Sequence, residues 1–360
     1  MTDRRSFLAT VGAGLVASRT MPFVTPRERV ASFSAWTWVH GGGATDVATW
    51  RTRYARLRAA GISGVLVSGG DLAMHVEAAH GEGLVLHAWS WTMNRSGDKT
   101  VKEAHPEWFS VSREGKSSLT SPPYVGYYQW LCPTRPEVRD YVAGTMERIA
   151  AIPGVDAVHL DYIRHPDVIL PRNLWEQYHL VQDHEMAPYD FCYCEVCRER
   201  FGRESGRDPL ALKDPAADVD WRRFRWRMVT ETVEVIARAT HARGKAISAA
   251  VFPTPTIART LVRQEWDRWP LDLVFPMLYH SFYREPVEWI GTGAAEGVAA
   301  LPKATPLIAG VYLPDLPPEA LGRAIRSARE GGASWVSMFE MGGLTDAHLA
   351  VVRTELRAGA

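Results

Sequence analysis

The sequence predicts an α/β fold, a (β/α)8 or TIM barrel, in a single catalytic domain. Short apolar runs alternate with amphipathic helical patterns eight times along the chain, the order expected of parallel strands joined by crossover helices. Two connections, at residues 94–134 and 164–220, are too long to be simple turns. Because long loops on one face of a barrel usually build the substrate cleft, we expect the active site there.

Eight segments have the apolar or alternating pattern of buried strands. They are residues 31–39, 64–68, 85–91, 157–162, 246–252, 273–278, 307–312 and 335–339. The helical patterns between them include 47–60, 135–151, 221–241, 285–300, 318–329 and 346–357. Thr134 and Thr345 are predicted to begin helices as N-caps, whereas Gly61, Gly244 and Gly331 are predicted to end helices in the left-handed conformation.

Composition and charge exclude several classes of partner. The chain has 360 residues, 46% of them hydrophobic, so it can bury a full core. Lys plus Arg and Asp plus Glu both number 41, and this balance offers no electrostatic surface for nucleic acid or an anionic membrane. The 14 Trp residues favour a carbohydrate partner, because exposed indole faces stack on sugar rings.

Residues 1–18 resemble a twin-arginine export signal. Arg4 and Arg5 precede Phe7 and a short apolar run that contains glycine and ends before Arg19. This run is too short to span a bilayer, and no other stretch reaches about 18 apolar residues. We therefore expect a barrel domain at residues 30–360, a periplasmic or extracellular location, and no stable membrane insertion once the signal is removed. An ordinary N-terminal helix is the alternative.

Asp161 is the most informative residue of the predicted barrel. It lies at the end of the strand 157–162, on the same side as His159, and a carboxylate at the C-terminal end of a barrel strand is typically catalytic. A structural role is the alternative, in which Asp161 caps the next segment or pairs with Arg164. Glu340 follows the strand 335–339 and is flanked by Phe339 and other apolar residues, surroundings that suit a protonated acid.

Glycoside hydrolysis requires two carboxyl groups, one protonated and one ionised. Asp161 and Glu340 are the predicted pair, with Asp161 as nucleophile or base, held ionised by Arg164 or His159, and Glu340 as the acid. The reserve carboxylates are Asp71, Glu265 and Asp272. The last of these begins a strand, so it is expected at the bottom of the barrel, where a stabilising role is typical.

Other strand ends supply aromatic and basic side chains to the predicted cleft. The predicted substrate-binding residues are Trp36, Trp38, His87, Trp89, Trp91, His159, Arg164, Tyr279, His280 and Tyr312. Two alternatives to carboxylate catalysis remain open. One is a barrel that binds carbohydrate without catalysis. The other is a metal-dependent hydrolase, whose ligands around Asp161 would come from His40, His87, His159 or His280.

A cysteine cluster lies in the second long loop. Cys192, Cys194 and Cys197 form a C-x-C-x-x-C pattern with His184 upstream, and such ligands can build a closed structural zinc site. In an exported protein the thiols could instead form disulfides, with Cys132 making the count even. Both alternatives give the cluster a structural role, and catalysis by carboxylates then requires no cofactor.

Four segments together resemble the glycosyl hydrolase-like 10 family. They are HPEW at 105–108, LCPTRPEVRDYV at 131–142, VDAVHLDYIRHP at 155–166 and LDLVFPMLYH at 271–280. The resemblance implies an exported (β/α)8 glycoside hydrolase, with Asp161 at the family's strand-four Asp and Pro276-Met277-x-Tyr279 at its strand-six motif. The same segments are distantly similar to family 18 chitinases. Ile163 stands where the chitinase acid would be, so another carboxylate must supply the proton.

Overall fold

The computed structural model describes residues 33–43 and 46–358. The predicted export signal at residues 1–18, and the first residues of the predicted barrel domain, lie outside this range. Eight strands form the barrel. They are β1 Ser34–His40, β2 Ile62–Ser68, β3 Val85–Trp91, β4 Ala157–Asp161, β5 Ala246–Val251, β6 Leu273–Pro276, β7 Ile308–Tyr312 and β8 Trp335–Phe339.

The strands form one parallel sheet that curves round on itself. Their order is β6-β5-β4-β3-β2-β1-β8-β7. Isolated parallel bridges, Val274 to Leu307 and Met277 to Gly310, join the β6 and β7 sides and nearly close the barrel. The predicted (β/α)8 class is confirmed, and the C-terminal ends of all strands lie at one end of the barrel, which we call the mouth.

Ten helices surround the strands within the described residues. They are α1 Val47–Ala59, α2 Leu72–Gly81, α3 Lys99–Ala104, α4 Pro136–Ala150, α5 Glu195–Ser205, α6 Val219–Ala242, α7 Pro255–Leu261, α8 Trp289–Ala300, α9 Pro318–Glu330 and α10 Asp346–Ala358. Helices α2, α3, α5 and α7 lie outside the six ranges predicted from the sequence. None of the ten combines the length and the apolar character needed to cross a bilayer.

The predicted helix ends are partly correct. Gly61 and Gly244 have positive φ values of 90° and 67°, as a left-handed residue after a helix requires. The prediction for Gly331 is wrong, because its φ is −71°. The next residue, Gly332, has a positive φ of 84° and takes the left-handed conformation instead. The chain therefore reverses direction one residue later than predicted.

The two predicted N-caps also differ. Thr345 precedes α10, and its Oγ1 accepts a hydrogen bond from the His348 N–H at 3.3 Å. Thr134 is not a cap, because α4 begins one residue later, after Arg135. The Thr134 hydroxyl instead lies 3.0 Å from the Cys197 sulfur, so a tertiary contact replaces the local one.

Alternating strand residues build two separate cores. Aromatic residues fill the inside of the barrel, including Trp36, Trp38 and Phe275. Aliphatic side chains such as Val158 and Leu160 point outward and pack beneath the helices. Because the inside is filled, the open space available to a ligand lies above it, at the mouth.

The bottom of the barrel uses one polar arrangement twice. Asp156 precedes β4 and Asp272 precedes β6, and each carboxylate contacts a backbone N–H of a neighbouring strand and a histidine from a helix end. The contacts join Asp156 to Leu86 and His80, and Asp272 to Ile247 and His241, at 2.8–2.9 Å. Asp272 therefore lies at the bottom, as the sequence predicted, and ties a strand to its surroundings.

Candidate active site

A cavity of about 400 Å³ opens at the mouth, within the usual size range of ligand sites. Most of its wall is aromatic, since eight of the lining residues are Tyr, three are Phe and two are Trp. Asp161 and Tyr312 come from strand ends, whereas Tyr124, Tyr127 and Tyr178 come from the two long loops. We call this space the mouth cavity, and its wall offers flat apolar faces with hydroxyl groups at their edges.

Asp161 is held at the mouth cavity by two hydrogen bonds. Its Oδ2 accepts from the indole N–H of Trp89 at 3.0 Å, and its Oδ1 accepts from the backbone N–H of Tyr162 at 2.7 Å. Loss of water contact raises the pKa of Asp161, although these hydrogen bonds and the charge of Arg164 act in the opposite direction. A carboxyl group with a raised pKa is suited to donate a proton.

Two residues of the cavity wall have a strained backbone. Tyr162, directly after Asp161, has a φ of 50°, and Tyr124 has a φ of 62°. A side chain other than glycine pays on the order of 1–2 kcal/mol for this left-handed conformation. Such strain clusters at functional sites, and here it places the Tyr162 N–H against the carboxylate that it orients.

Glu340 pairs with a histidine at the end of β1. Its Oε2 lies 3.0 Å from Nε2 of His40, and the two side chains are 36% and 60% exposed. The apolar surroundings predicted for Glu340 are therefore wrong, because the carboxylate faces an imidazole at the surface. His40 lines the mouth cavity, and its ring centroid lies 5.1 Å from that of Trp89. Glu340 and Asp161 are thus linked through two ring side chains.

Arg164 lines the mouth cavity but does not bind Asp161 directly. Its Nη1 forms an ion pair with Oδ2 of Asp167 at 2.9 Å, and both side chains are buried. The guanidinium also lies over the rings of Trp130 and Tyr162, at 4.8 and 5.1 Å from their centroids. The structural alternative in which Arg164 pairs with Asp161 is wrong, because Arg164 forms its ion pair with Asp167. Its charge nevertheless acts to lower the pKa of Asp161, as expected of a residue that favours the ionised carboxylate.

The predicted substrate-binding residues separate into two groups. Those that line the mouth cavity are Trp89, Trp91, Arg164, Tyr279 and Tyr312. Those that do not are Trp36, Trp38, His87, His159 and His280. Trp36, Trp38, His87 and His159 are buried within the barrel, and His280 is buried in a turn after β6. Alternation along a strand predicts which side a residue faces, but not its depth.

A serine joins the two buried histidines inside the barrel. Nδ1 of His87 and Nδ1 of His159 lie 2.9 and 2.8 Å from Oγ of Ser248. Burial lowers the pKa of His87 to about 4, and it lowers the pKa of His159 as well. His159 therefore does not hold Asp161 ionised, because its bonded nitrogen faces Ser248 and its ring is neutral.

The reserve carboxylates lie elsewhere. Asp71 caps α2 by accepting from the Ala73 N–H at 2.9 Å, and Glu265 lies 3.4 Å from Arg259. Among the residues that the structure describes, Asp161 and Asp167 are the only carboxylates that line the mouth cavity.

In the same part of the chain, the cysteines form the only group of at least three candidate metal ligands. The histidines predicted for a catalytic metal therefore do not converge.

Sequence reasoning missed the wall that the long loops provide. Tyr124, Tyr127 and Tyr128 come from the first loop, and Asp167 and Tyr178 come from the second. One signal was available: residues 122–130 read PPYVGYYQW, an aromatic cluster within a loop already expected to form the cleft. The position of Asp167 has no comparable signal, because it depends on the buried contact with Arg164.

All four cysteines of the chain converge outside the mouth cavity. The sulfur atoms of Cys132, Cys192, Cys194 and Cys197 lie within 4.8 Å of one another, and all four residues are buried and unpaired by disulfides. The prediction of His184 as the fourth metal ligand is wrong. Its Nδ1 lies 2.6 Å from Asp183, and its side chain is 73% exposed. Cys132, distant in sequence, takes that place.

The strands and helices form a (β/α)8 barrel, and part of this barrel is similar in sequence to a family of glycoside hydrolase-like proteins. Residues 62–174 match the family described as Glycosyl hydrolase-like 10. This match confirms the resemblance over the segment from β2 to the beginning of the second long loop, and it includes Asp161 and Arg164. Curated protein sequences gave no significant match.

Two solved structures illustrate the likeness in fold. The catalytic domain of a β-amylase from Paenibacillus polymyxa is 12% identical, with a TM-score of 0.59, and the match covers 91% of this chain and 99% of that chain. The glycoside hydrolase domain of PgaB (BpsB) from Bordetella bronchiseptica is 14% identical, with a TM-score of 0.61, and the match covers 90% and 99%. At these identities the comparison concerns the barrel alone.

Proposed function

We propose that the protein is a glycoside hydrolase that cleaves a glycosidic bond in a poly- or oligosaccharide. The observation that carries this proposal is Asp161, a carboxyl group with a raised pKa at the end of β4, set in a cavity walled by aromatic rings. Sugar rings stack on such walls through their C–H faces, and the tyrosine hydroxyls offer hydrogen bonds to the sugar hydroxyls. The reaction needs no cofactor in the cavity.

The two carboxylates take different roles in the proposed reaction. Asp161 donates its proton to the glycosidic oxygen as the bond to the anomeric carbon breaks. Glu340, which contacts His40, either removes a proton from the attacking water or attacks the anomeric carbon itself. In the second case water, deprotonated by Asp161, then releases the sugar from Glu340. This assignment is the opposite of the one expected from the sequence. Desolvation raises the pKa of Asp161, whereas the Glu340 side chain is 36% exposed and contacts His40.

Product analysis on a panel of neutral oligosaccharides tests the proposal. Hydrolysis adds one water per bond and creates one new reducing end, which mass spectrometry and reducing-sugar assays detect. Asp161→Asn is expected to lower the rate by roughly 10²–10⁴-fold. NMR of the first anomer released decides between retention and inversion, and so between attack by Glu340 and attack by water. Full activity of the Asp161→Asn protein would contradict the assignment.

A carbohydrate-binding barrel without catalysis is the second candidate. It is favoured by one observation, which is that Glu340 is not among the residues that line the mouth cavity. Glu340 contacts His40, which does line it. Such a protein would bind oligosaccharides with no new reducing ends. Binding of a glycan, measured by isothermal titration calorimetry, together with recovery of the intact glycan after prolonged incubation would favour this candidate.

We also propose export by the twin-arginine route. The support is the sequence alone, with Arg4 and Arg5 ahead of a short apolar run. A reporter fused after residues 1–30 is expected to be exported from the cytoplasm. When both arginines are replaced by Lys, the reporter is expected to remain in the cytoplasm. Export of the doubly substituted fusion at the native level would contradict this proposal.

A further inference from the structure

We propose that Cys132, Cys192, Cys194 and Cys197 bind one structural zinc ion, which clamps together the two long loops that form one side of the mouth cavity. The sulfur atoms come from separate parts of the chain. Cys132 lies near the end of the first loop, and the other three lie within the second. The inference concerns loop architecture, and it stands independently of the proposed hydrolysis.

The distances between the sulfur atoms favour a metal over disulfides. Cys132 lies 3.5 Å from Cys194 and 3.4 Å from Cys197, and the latter two are 3.6 Å apart. A sulfur–sulfur bond is about 2.05 Å long. Four thiolates placed tetrahedrally at about 2.3 Å from zinc are separated by about 3.8 Å. The observed spacing is close to the second value and far from the first.

The size of the cluster limits it to one ion. All four sulfur atoms lie within 4.8 Å of one another, so no space remains between them for several metal atoms with bridging sulfides. Four cysteine ligands also complete a tetrahedral site and leave no position for water or substrate. None of the four cysteines lines the mouth cavity. The site is therefore structural.

Donors around the cluster are arranged as they are around metal-bound thiolates. The Val111 N–H donates to the Cys192 sulfur at 3.3 Å, and the Cys194 N–H approaches the same sulfur at 3.5 Å. The Thr134 hydroxyl lies 3.0 Å from the Cys197 sulfur, where it can donate to a thiolate. Hydrogen bonds to ligand atoms orient the ligands and stabilise their charge.

The hydrophobic core around the cluster is small. It is separate from the two barrel cores, and four of its ten buried residues are the cysteines. The remaining six are Phe191, Tyr193, Phe201, Trp221, Phe224 and Met228. Small hydrophobic cores commonly depend on a metal or a disulfide for stability. A bound zinc ion would therefore add stability to this part of the protein.

The cluster is connected to the cavity wall through the first loop. Trp130, two residues before Cys132, packs against Tyr162 with a centroid distance of 5.4 Å, and Arg164 lies over its ring. The second loop joins the first by main-chain bonds, since the Tyr193 N–H donates to the Val111 carbonyl at 2.8 Å. Loss of the ion is therefore expected to loosen both loops and the wall that they build.

Metal analysis of the full chain tests the zinc site. Protein purified without chelators is expected to contain one zinc per chain by inductively coupled plasma mass spectrometry. Cys194→Ser is expected to lose it, and His184→Ala, in the same loop but exposed, is the matched control and should keep it. Three results would overturn the proposal: protein without metal, protein with one iron per chain instead of zinc, or disulfide bonds among these cysteines in the unreduced protein. Because the native protein alone decides this outcome, a poorly folding Cys194→Ser variant leaves the test intact.

Hydrogen exchange tests the clamp. Removing zinc from the native protein with a chelator is expected to raise exchange in residues 109–132 and 190–201, while β1 to β8 remain protected. Restoring zinc should reverse the change. Unchanged exchange in both loops after complete zinc removal would overturn the clamping role. Neither readout depends on hydrolysis, so failure of the proposed function and failure of this inference are distinguishable.

Discussion

One aspartate precedes strand β4 and another is its last residue, and the two carboxylates differ in their contacts. At the bottom, Asp156 accepts from the Leu86 N–H and contacts His80. At the mouth, Asp161 is held by Trp89 and Tyr162 beside an open cavity, and loss of water contact raises its pKa. The same residue type thus connects neighbouring elements at one end of the strand, and at the other end it is the proposed proton donor.

The difference teaches where each kind of variant should act. The arrangement around Asp156 recurs at Asp272, as expected of a structural device that belongs to the repeated βα unit. The arrangement around Asp161 occurs at one strand end and combines an indole donor with the strained backbone of Tyr162. Variants at the bottom should therefore change stability, and variants at the mouth should change chemistry or binding.

The largest expected effect comes from replacing the two aspartates of β4 separately. Asp161→Asn removes the proposed proton donor, and hydrolysis should fall by roughly 10²–10⁴-fold with the melting temperature nearly unchanged. Asp156→Ala leaves a buried N–H without its acceptor, so the free energy of unfolding should fall by about 1–3 kcal/mol while kcat is retained. Denaturant unfolding and initial rates measured on both proteins check the comparison. Equal losses of activity in both variants would remove the distinction between the two ends.

Glu340→Gln is expected to have the second largest effect. If Glu340 is the ionised partner, the amide can neither attack carbon nor remove a proton, and the rate should fall by roughly 10²-fold or more. Azide is an informative addition, because a small external nucleophile restores turnover when the lost group acted as nucleophile or base. The matched control is Asp167→Asn, which alters a carboxylate of the wall that is already paired with Arg164. If Asp167→Asn lowers kcat more than Glu340→Gln does, Asp167 and not Glu340 is the second catalytic carboxylate.

Strand positions were predictable from the sequence, whereas depth within the barrel was not. The predicted strand 157–162 and the observed β4, Ala157–Asp161, agree to one residue, because alternation and length determine a buried strand locally. The same alternation placed Trp36 and His87 on the inward side but could not show that they lie below the cavity. Depth depends on how neighbouring strands are staggered, and that is a property of the closed barrel.

The loop-built half of the site was less accessible to sequence reasoning. His184 was chosen as a ligand for its nearness in sequence to Cys192, yet the cluster takes Cys132, 62 positions from Cys194. Similarly, the Tyr124 hydroxyl donates to the Asp167 carbonyl across 43 positions at 2.9 Å. Contacts of this kind leave no periodic pattern, because they form between two irregular segments that fold against each other.

The buried histidines of the barrel provide a prediction on pH dependence. Burial lowers the pKa of His87 from 6.5 to about 4, so between these pH values the unfolded chain binds a proton that the folded chain does not. Stability is therefore full above pH 6.5 and falls as the pH decreases toward 4, by at most about 3 kcal/mol from this residue. His87→Gln cannot titrate, and its free energy of unfolding should decline less steeply over the same range. Parallel profiles for the two proteins would contradict the prediction.

Tyr312→Ala should have the smallest effect. It is compared with a variant of the aromatic core, to separate a contribution to glycan binding from a contribution to stability. Tyr312 lines the mouth cavity beside Tyr279, with a centroid distance of 5.3 Å, so removing its ring should raise KM or Kd for the glycan by about tenfold. Trp335→Phe, at the start of β8, should lower stability with KM unchanged, because Trp335 stacks on Trp36 inside the barrel. Tyr312→Phe keeps the ring and separates stacking from hydrogen bonding by its hydroxyl. If Tyr312→Ala binds glycan like the native protein, the wall contributes shape alone, and affinity must come from the polar groups around Asp161.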